Sequence, residues 1–149
     1  MKIILVLLLL LTLPILAHAD NYLDINVGCY HWDRQAVKEY NFNENNFGIA
    51  YEHDNGNFLE TIGYYNNSLR VNSDYALVGY EPIKLGSVKL GVIGGVITGY
   101  KYKSAPFVPA IGAIATYNTS FGGINLIATP NYKSMGVYGF LGLQLKIKF

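Results

Sequence analysis

Ser68 and His31 are the two residues whose side chains could together carry nucleophilic chemistry in this chain. A serine hydroxyl becomes a useful nucleophile when a base takes its proton, and neutral imidazole is the usual base. Isolated loop residues of these types are more often plain polar residues, so the reading depends on whether the fold brings them together. The strands and connections that would position the two residues decide this.

The first 19 residues have the pattern of a cleavable secretory signal. Lys2 supplies a positive charge, residues 3–16 form an apolar run, and Ala17-His18-Ala19 ends the run with small residues where a signal peptidase reads. A membrane anchor is the alternative, but the run is shorter than the roughly 20 residues that span a bilayer. We therefore predict a signal peptide over residues 1–19 and one domain over residues 20–149.

The remaining chain is rich in aromatic residues and glycine, with 13 Tyr, 7 Phe and 16 Gly, and only 14% of its residues are charged. Its visible period is two. From Leu141 to Phe149 every odd position is apolar, whereas Gln144, Lys146 and Lys148 share the opposite face. This pattern fits a strand between lipid and a polar lumen. A soluble β-sandwich can show the same alternation, but the export signal and the terminal phenylalanine, which resembles the C-terminal signal of outer-membrane proteins, favour the membrane barrel.

Turn signals divide the chain into eight strands, the clearest being Asp54-Asn55-Gly56-Asn57. Eight strands can close a barrel without exposed edges, as a bilayer requires. The predicted fold class is all-β: an eight-stranded antiparallel transmembrane β-barrel with both termini periplasmic. The predicted strands are Leu23–Tyr30, Phe47–His53, Phe58–Tyr65, Tyr75–Glu81, Val88–Ile97, Pro109–Tyr117, Gly123–Thr129 and Gly136–Phe149.

In this topology four connections face outward, and His31 lies in the first and Ser68 in the second. His53 falls at the opposite end of the barrel and His18 within the signal, so only His31 could meet Ser68. The four predicted outward connections are His31–Asn46, Asn66–Ser73, Thr98–Pro106 and Pro130–Met135.

The outward connections also carry basic residues that could attract lipopolysaccharide phosphates or could be solvated loop charge. A net charge of only +1 gives no indication of nucleic-acid binding. These basic residues are Arg34, Lys38, Arg70, Lys101, Lys103 and Lys133.

The single cysteine, Cys29, excludes an intrachain disulfide. The segment that precedes it, Asn26-Val27-Gly28, lacks the leucine of a lipoprotein signal, so we predict a small apolar residue on a strand face. Three scattered histidines and one thiol have no metal-ligand spacing, and we predict neither a metal nor a cofactor.

Several short segments follow one another much as in the lipid A palmitoyltransferase (PagP) family, and from His31 onward the chain resembles that family. Each segment alone is short, and their order and spacing carry the resemblance. They are His31 before Tyr40-Asn41, Phe47-Gly48-Ile49, Gly56-Asn57, Tyr65-Asn66-Asn67-Ser68, Gly79-Tyr80, Leu90-Gly91-Val92, Gly95-Val96-Ile97-Thr98-Gly99, the prolines Pro106, Pro109 and Pro130, and Leu145–Phe149.

The resemblance implies an outer-membrane acyltransferase that moves a fatty acyl chain from a phospholipid to lipid A at the outer leaflet. It places His31 and Ser68 in the catalytic positions and implies that the acyl chain is held inside the upper barrel. Asn67 stands where the family has an aspartate; it can orient an imidazole but cannot offset its charge. The prolines resemble those that weaken strand pairing and open a lateral route for lipid. The family's periplasmic helix before the first strand has no counterpart here.

Two functions therefore stand as expectations. The first is a PagP-like acyltransferase with catalytic His31, Ser68 and Asn67, a phospholipid donor, a lipid A or lipopolysaccharide acceptor, and a monomeric state in the outer membrane. The alternative is a non-catalytic small barrel that alters envelope or surface properties. A dry apolar cavity in the outer half would favour the enzyme, and a polar interior would favour the alternative. Small residues at Gly91, Gly95 and Gly112 could either make room for a chain or relieve barrel curvature.

Overall fold

The computed structural model describes residues 19–102, 105–132 and 137–149, and these contain eight strands and one short helix. Residues 1–18 of the predicted signal peptide lie outside the described residues. The helix, α1 (Arg34–Tyr40), lies between the first two strands. The strands are β1 (Asp20–His31), β2 (Gly48–Asp54), β3 (Phe58–Asn66), β4 (Asn72–Leu85), β5 (Val88–Tyr102), β6 (Ala105–Asn118), β7 (Gly122–Ala128) and β8 (Phe140–Lys148).

The strands form one closed barrel in which each pairs antiparallel with its sequence neighbours and β1 also pairs with β8. The closing pair has Leu23 opposite Ile147 and Ile25 opposite Leu145. The predicted eight-stranded antiparallel barrel is thereby confirmed. Because a closed barrel has no free sheet edge, its backbone groups can be satisfied without water, as a bilayer core demands.

The two faces of the barrel have opposite chemistry, with apolar side chains outside and polar ones inside. Buried positions include Asp24, Glu52, Asn125 and Lys146, whereas a soluble protein normally buries apolar groups. Alternation of lipid-facing apolar and lumen-facing polar residues is the signature of a transmembrane β-barrel. Exposed apolar residues on the strands include Leu23, Ile49, Ile62, Val78, Val92, Ile111, Leu126, Leu145 and Ile147.

No helix among the described residues is long and apolar enough to cross a membrane.

The interior has a charged half and an apolar half. At the end where β1 begins and β8 ends, Lys146 lies 2.5 Å from Glu52, and Lys89 lies 2.5 Å from Asp54. A small apolar cluster of Leu59, Ile93 and Ile114 lies in the interior. Towards the loop end, mainly apolar residues line a cavity. The two halves meet at a hydrogen-bonded polar layer of Asn26, Tyr75 and Gln144.

Strand boundaries are where the sequence prediction was least accurate. β4 continues to Leu85, beyond the predicted end at Glu81, because Pro82 sits at a register shift between Tyr80 and Ile83 where its missing donor is tolerated. β5 continues to Tyr102 and β6 begins at Ala105, so the predicted Thr98–Pro106 connection is largely strand. β8 begins at Phe140 rather than at the predicted Gly136, and residues 133–136, which include the end of the predicted Pro130–Met135 connection, lie outside the described residues.

The first outward connection contains a helix that the sequence analysis did not predict. Asp33 caps α1 by accepting a hydrogen bond from the Ala36 backbone N–H at 3.0 Å. Asn41 ends it in the left-handed conformation, with φ 52°, and donates its backbone N–H to Val37. At seven residues the helix is too short to show a convincing apolar period in the sequence.

Pairing between β6 and β7 covers only part of β6. The registered pairs run from Ala113 opposite Ala128 to Asn118 opposite Gly123, so residues 105–112 continue beyond the paired stretch. Pro106 and Pro109 lie in this continuation, where a residue without a donor interrupts no ladder bond to β7. The weakened pairing implied by the prolines is therefore present at this position.

Candidate active site

His31 and Ser68 meet at the loop end of the barrel, as the sequence analysis predicted. His31 is the last residue of β1, and Ser68 lies in the turn between β3 and β4. Their side chains are 2% and 8% exposed respectively, and the Ser68 Oγ lies 3.1 Å from the His31 Nε2. A hydroxyl bonded to an imidazole nitrogen inside a protected site is the arrangement that activates a serine.

Glu44 lies on the other side of the imidazole ring. Its Oε1 accepts a hydrogen bond from the His31 backbone N–H at 2.9 Å and lies 3.4 Å from the His31 Nδ1. A proton on Nδ1 facing this carboxylate leaves Nε2 free to accept from the Ser68 hydroxyl. The order is hydroxyl, imidazole, carboxylate, in which the acid fixes the ring and stabilises its protonated form.

Arg34 holds the Glu44 carboxylate in place. Its two terminal nitrogens donate to the two Glu44 oxygens at 2.5 and 2.9 Å, a bidentate pair of the strong, charge-assisted kind. Hydrogen bonding to Arg34 lowers the pKa of Glu44 to about 2, so this carboxylate is ionised at neutral pH. Arg34 also donates to the His31 backbone carbonyl at 3.3 Å, which ties the start of α1 to the end of β1.

Asn67 has a different role from the one predicted. Its Nδ2 donates to the Ser73 Oγ at 2.8 Å, and its Oδ1 accepts from the backbone N–H groups of Leu69 and Val71 at 2.8 and 3.1 Å. The Oδ1 of this buried side chain is used within its own turn, since an asparagine side chain readily closes such a turn on the backbone ahead. Its Nδ2 reaches Ser73 on β4 and also the Gly99 carbonyl of β5, at 3.4 Å. The prediction that Asn67 orients His31 is therefore corrected: Asn67 shapes the turn that presents Ser68, and Glu44 faces the imidazole.

The β1–β2 and β3–β4 connections are hydrogen-bonded to each other around the site. The Asn43 backbone N–H donates to the Ser68 carbonyl at 2.8 Å, and the Asn46 side chain donates to the Asn66 carbonyl at 3.0 Å. Arg70 donates to the Asn41 carbonyl from the opposite loop. These contacts fix Ser68 relative to His31 although the two residues come from different loops.

Aromatic rings cover His31 on the loop side. The centroid of its ring lies 5.1 Å from that of Phe42 and 5.8 Å from that of Phe140. Tyr138 packs against Phe42 at 5.2 Å in an edge-on arrangement. These rings exclude water from the imidazole. Its hydrogen bonds to Ser68 and Glu44 are therefore stronger than they would be in water.

A cavity of about 100 Å³ lies below the site within the apolar half of the barrel. Ser68 and Cys29 line it near the loops, and the polar layer at Asn26, Tyr75 and Gln144 closes it below. Its walls are otherwise mainly apolar, with Leu77, Ile93, Ile97, Ala110, Ile111, Ile127, Phe140 and Leu143 among them. The serine hydroxyl therefore stands at one end of an apolar space that can accept a hydrocarbon chain.

The cavity reaches the outer surface near the unpaired part of β6. Ile111 lines the cavity, yet its side chain is 64% exposed on the outside of the barrel. Gly112 and Gly142 also line it, on β6 and on β8. The apolar space thus approaches the lipid-facing surface where β6 extends beyond its pairing with β7.

Sequence reasoning missed Glu44 and Arg34 as parts of the site. The sequence analysis counted Arg34 only as a basic loop residue and assigned no catalytic role to Glu44, since the contribution of both depends on the loop conformation that α1 and its caps impose. The one available signal was that both fall in the same predicted connection as His31. No group of three or more metal-ligating side chains occurs within the described ranges.

Two of the basic residues in the predicted outward connections are engaged within the loops, and one of them is paired with a carboxylate. Arg34 is paired with Glu44, and Arg70 donates to Asn41 with both of its terminal nitrogens. Lys103 and Lys133 lie outside the described residues. The arginines of these loops therefore serve to hold the loops together.

Comparison with known proteins gives information on the fold alone. No protein-family model matches the chain, and no curated protein matches it. Among solved structures it is similar to the de novo designed protein TMB2.3, solved by solution NMR, with a TM-score of 0.54 and 16% sequence identity. The match covers 87% of this chain and 95% of that chain.

Proposed function

We propose that this chain is an outer-membrane acyltransferase that moves a fatty acyl chain from a phospholipid to lipid A or a related lipid at the outer leaflet. The observation that carries the proposal is the Ser68–His31 hydrogen bond, 3.1 Å long, at the end of an apolar cavity. A hydroxyl paired with an imidazole supplies acyl-transfer chemistry, and the cavity beside it supplies a place for the acyl chain.

The division of the interior into two halves supports a hydrocarbon substrate. The charged half is occupied by ion pairs such as Lys146–Glu52, with both side chains fully buried. An acyl chain whose ester group lies at Ser68 meets the Gln144 amide, which donates to the Asn26 Oδ1 at 2.7 Å, at the cavity floor. Because apolar methylenes gain nothing from this polar layer, the chain would stop there.

The unpaired stretch of β6 supports lateral entry of the substrate from the membrane. Lipids diffuse in the plane of the bilayer, and an acyl chain that leaves it through the barrel wall never has to cross water. Ile111 and Gly112 lie where the cavity meets the lipid-facing surface, next to the end of β6–β7 pairing at Ala113. The proposed location in the bacterial outer membrane rests on the transmembrane barrel fold together with the signal pattern of residues 1–19.

The proposal is tested by mass spectrometry of lipid A from a palmitoyltransferase-deficient bacterial host that expresses this chain. We expect one added acyl group with the native sequence and none with Ser68→Ala or His31→Ala. Matched controls are Ser87→Ala and His53→Ala, whose positions lie at the opposite end of the barrel and should leave the product unchanged. Each variant is shown to be folded and inserted by its heat-modifiable migration on gels.

Two results would count against the proposal. Lipid A that stays unmodified by a folded, inserted native chain would remove lipid A acylation, and the non-catalytic envelope barrel would become the better reading. Acylation that persists in both Ser68→Ala and His31→Ala would place the chemistry elsewhere in the molecule.

A further inference from the structure

Building on the proposed acyl transfer, we propose that it proceeds through a covalent intermediate in which the acyl chain is esterified to the Ser68 Oγ. The alternative is direct transfer, in which the acceptor hydroxyl attacks the donor ester while Ser68 only hydrogen-bonds His31. The arrangement of the cavity, the serine and the histidine distinguishes between these two routes.

The position of Ser68 favours the covalent route. Ser68 is among the residues that line the cavity, whereas His31 is not, and the His31 side chain is only 2% exposed. The Ser68 Oγ is also the hydrogen-bond partner of the His31 Nε2, at 3.1 Å. Of the two groups, the Ser68 hydroxyl is therefore the one that meets an acyl ester held in the cavity, and it has the base beside it.

The first half of the reaction transfers the acyl group to the serine. The Ser68 Oγ attacks the carbonyl carbon of the phospholipid ester and gives its proton to the His31 Nε2. The bond from that carbon to the glycerol oxygen breaks, and the leaving oxygen takes the proton from Nε2. A lysophospholipid leaves, and Ser68 carries the acyl chain as an ester.

The second half regenerates the serine. A hydroxyl of the acceptor lipid gives its proton to the His31 Nε2 and attacks the carbonyl carbon of the Ser68 ester. The Ser68 Oγ leaves and takes the proton back from Nε2. No oxidant, reductant or other co-reactant is needed, because each half exchanges one ester for another.

Glu44 is the positioning residue of this scheme. In both halves His31 carries a positive charge for part of the cycle, and the Glu44 Oε1 at 3.4 Å from Nδ1 offsets that charge. Arg34 keeps the carboxylate in the required orientation through its bidentate hydrogen bonds. The loop bond from the Asn43 N–H to the Ser68 carbonyl, 2.8 Å, holds the nucleophile against the base.

Cys29 is the competing nucleophile that the test must separate from Ser68. Its Sγ lies 3.7 Å from the His31 Nδ1, and it also lines the cavity. It faces the nitrogen that points to Glu44, so the imidazole proton rather than the lone pair is directed towards it. Acylation is therefore expected on the hydroxyl, and a thioester at Cys29 would contradict the scheme.

The test uses the full-length folded barrel in detergent with phosphatidylcholine as acyl donor and no acceptor lipid. After an acid quench, intact-mass spectrometry is expected to show one added acyl group, and peptide mapping is expected to place it on Ser68. The adduct should resist neutral hydroxylamine, which cleaves thioesters, and peptide mapping should find no acyl group on Cys29. It should be absent in Ser68→Ala and should disappear from the native chain when lipid A is added.

A second measurement covers an intermediate that is too short-lived to trap. Initial rates measured with phosphatidylcholine and lipid A varied together should give the parallel double-reciprocal lines of a ping-pong mechanism, because the lysophospholipid leaves before the acceptor reacts. Full transfer to lipid A with no adduct and with intersecting lines would overturn the covalent route and leave the acyltransferase intact. Absence of transfer to lipid A under any condition would instead count against the proposed function.

Discussion

At the scale of single residues, the site depends on which nitrogen of His31 faces which partner. The Nδ1 side faces the Glu44 carboxylate and the Nε2 side faces the Ser68 hydroxyl, so the ring is oriented as a base for the serine. Arg34 keeps Glu44 from rotating away, since it uses both carboxylate oxygens. Glu44, which lies in the connection between α1 and β2, is thereby held in a fixed position.

Replacing Glu44 by glutamine should lower kcat strongly and change KM little. The amide keeps the shape but cannot offset the charge on the imidazole, and the corresponding change in serine proteases costs about 10⁴ in rate. We expect a loss on the order of 10²–10⁴ here, with partial rescue by Glu44→Asp. The matched control is Glu39→Gln on the exposed face of α1. Equal activity of Glu44→Gln and the native chain would show that the carboxylate has no part in the reaction.

The Glu44 carboxyl should titrate far below an ordinary glutamate. Hydrogen bonding to Arg34 lowers its pKa from 4.5 to about 2. Because the folded-state value is depressed, the stabilisation is fully present above pH 4.5 and is lost as the pH falls towards 2. Carbon-13 NMR of selectively labelled glutamate should give this midpoint, and Arg34→Ala should move it upwards. A native midpoint at or above 4.5 would contradict the ion pair.

The residues of the site differ in how far the sequence could predict them. His31 and Ser68 could be paired from topology, because both were predicted at the same end of an eight-stranded barrel. Glu44 could not, because its position follows from the Asp33 cap and the left-handed Asn41 that shape the loop. Asn67 was predicted to orient the imidazole because the resembling family has an aspartate at that position. Its side chain instead closes the turn by accepting from the Val71 backbone N–H.

At the scale of the elements, the strands approach each other closely at glycines that face the interior. A methyl group at Gly95 would lie 2.1 Å from the Ala76 carbonyl of β4, and one at Gly91 would lie 1.9 Å from the Tyr80 carbonyl. A methyl group at Gly112 would lie 2.7 Å from the Ala128 carbonyl of β7. Close backbone approach therefore accounts for all three glycines, and Gly112 in addition lines the cavity.

Alanine at Gly95 should destabilise the barrel, whereas alanine at the adjacent Gly94 should not. At Gly94 the nearest atom to an added methyl group is the Ala110 carbonyl oxygen at 3.3 Å. We expect a loss of about 1–3 kcal/mol of unfolding free energy at Gly95, typical of forced backbone shifts, and a much smaller change at Gly94. Denaturant unfolding in lipid vesicles measures both. Equal stability of the two variants would show that β4 and β5 can separate freely here.

At the scale of the whole molecule, the barrel places its charges at one end and its apolar space at the other. Lys146 and Glu52 lie fully buried in the first region, and the Asn125 side chain donates to the Glu52 Oε2 at 2.7 Å. The second region contains the cavity that begins at Ser68. Period-two alternation in β8 was enough to predict lipid outside and polar groups inside, because a strand has only two faces. It could not predict the division along the barrel axis, which depends on register between strands.

The buried ion pair should be essential to folding, unlike the exposed one near the termini. Lys146→Met leaves the Glu52 carboxylate buried without its counter-ion, which typically costs about 3–5 kcal/mol. Lys148→Met removes a pair with Asp20 whose side chains are 33% and 46% exposed, and should cost about 1 kcal/mol or less. Unfolding can be followed through the fluorescence of the single tryptophan, Trp32. Similar losses of unfolding free energy in the two variants would show that burial does not distinguish the two ion pairs.

The central claim is that Ser68, activated by His31, transfers an acyl chain. The most direct measurement is the transfer of radiolabelled acyl groups from phosphatidylcholine to lipid A by the purified barrel in defined vesicles, with the native chain compared with Ser68→Ala and Ser87→Ala. We predict labelled lipid A with the native chain and with Ser87→Ala, and a loss of at least about 10³-fold with Ser68→Ala, in line with removal of a catalytic nucleophile. Equal transfer by Ser68→Ala, or none by a folded native chain, would contradict it.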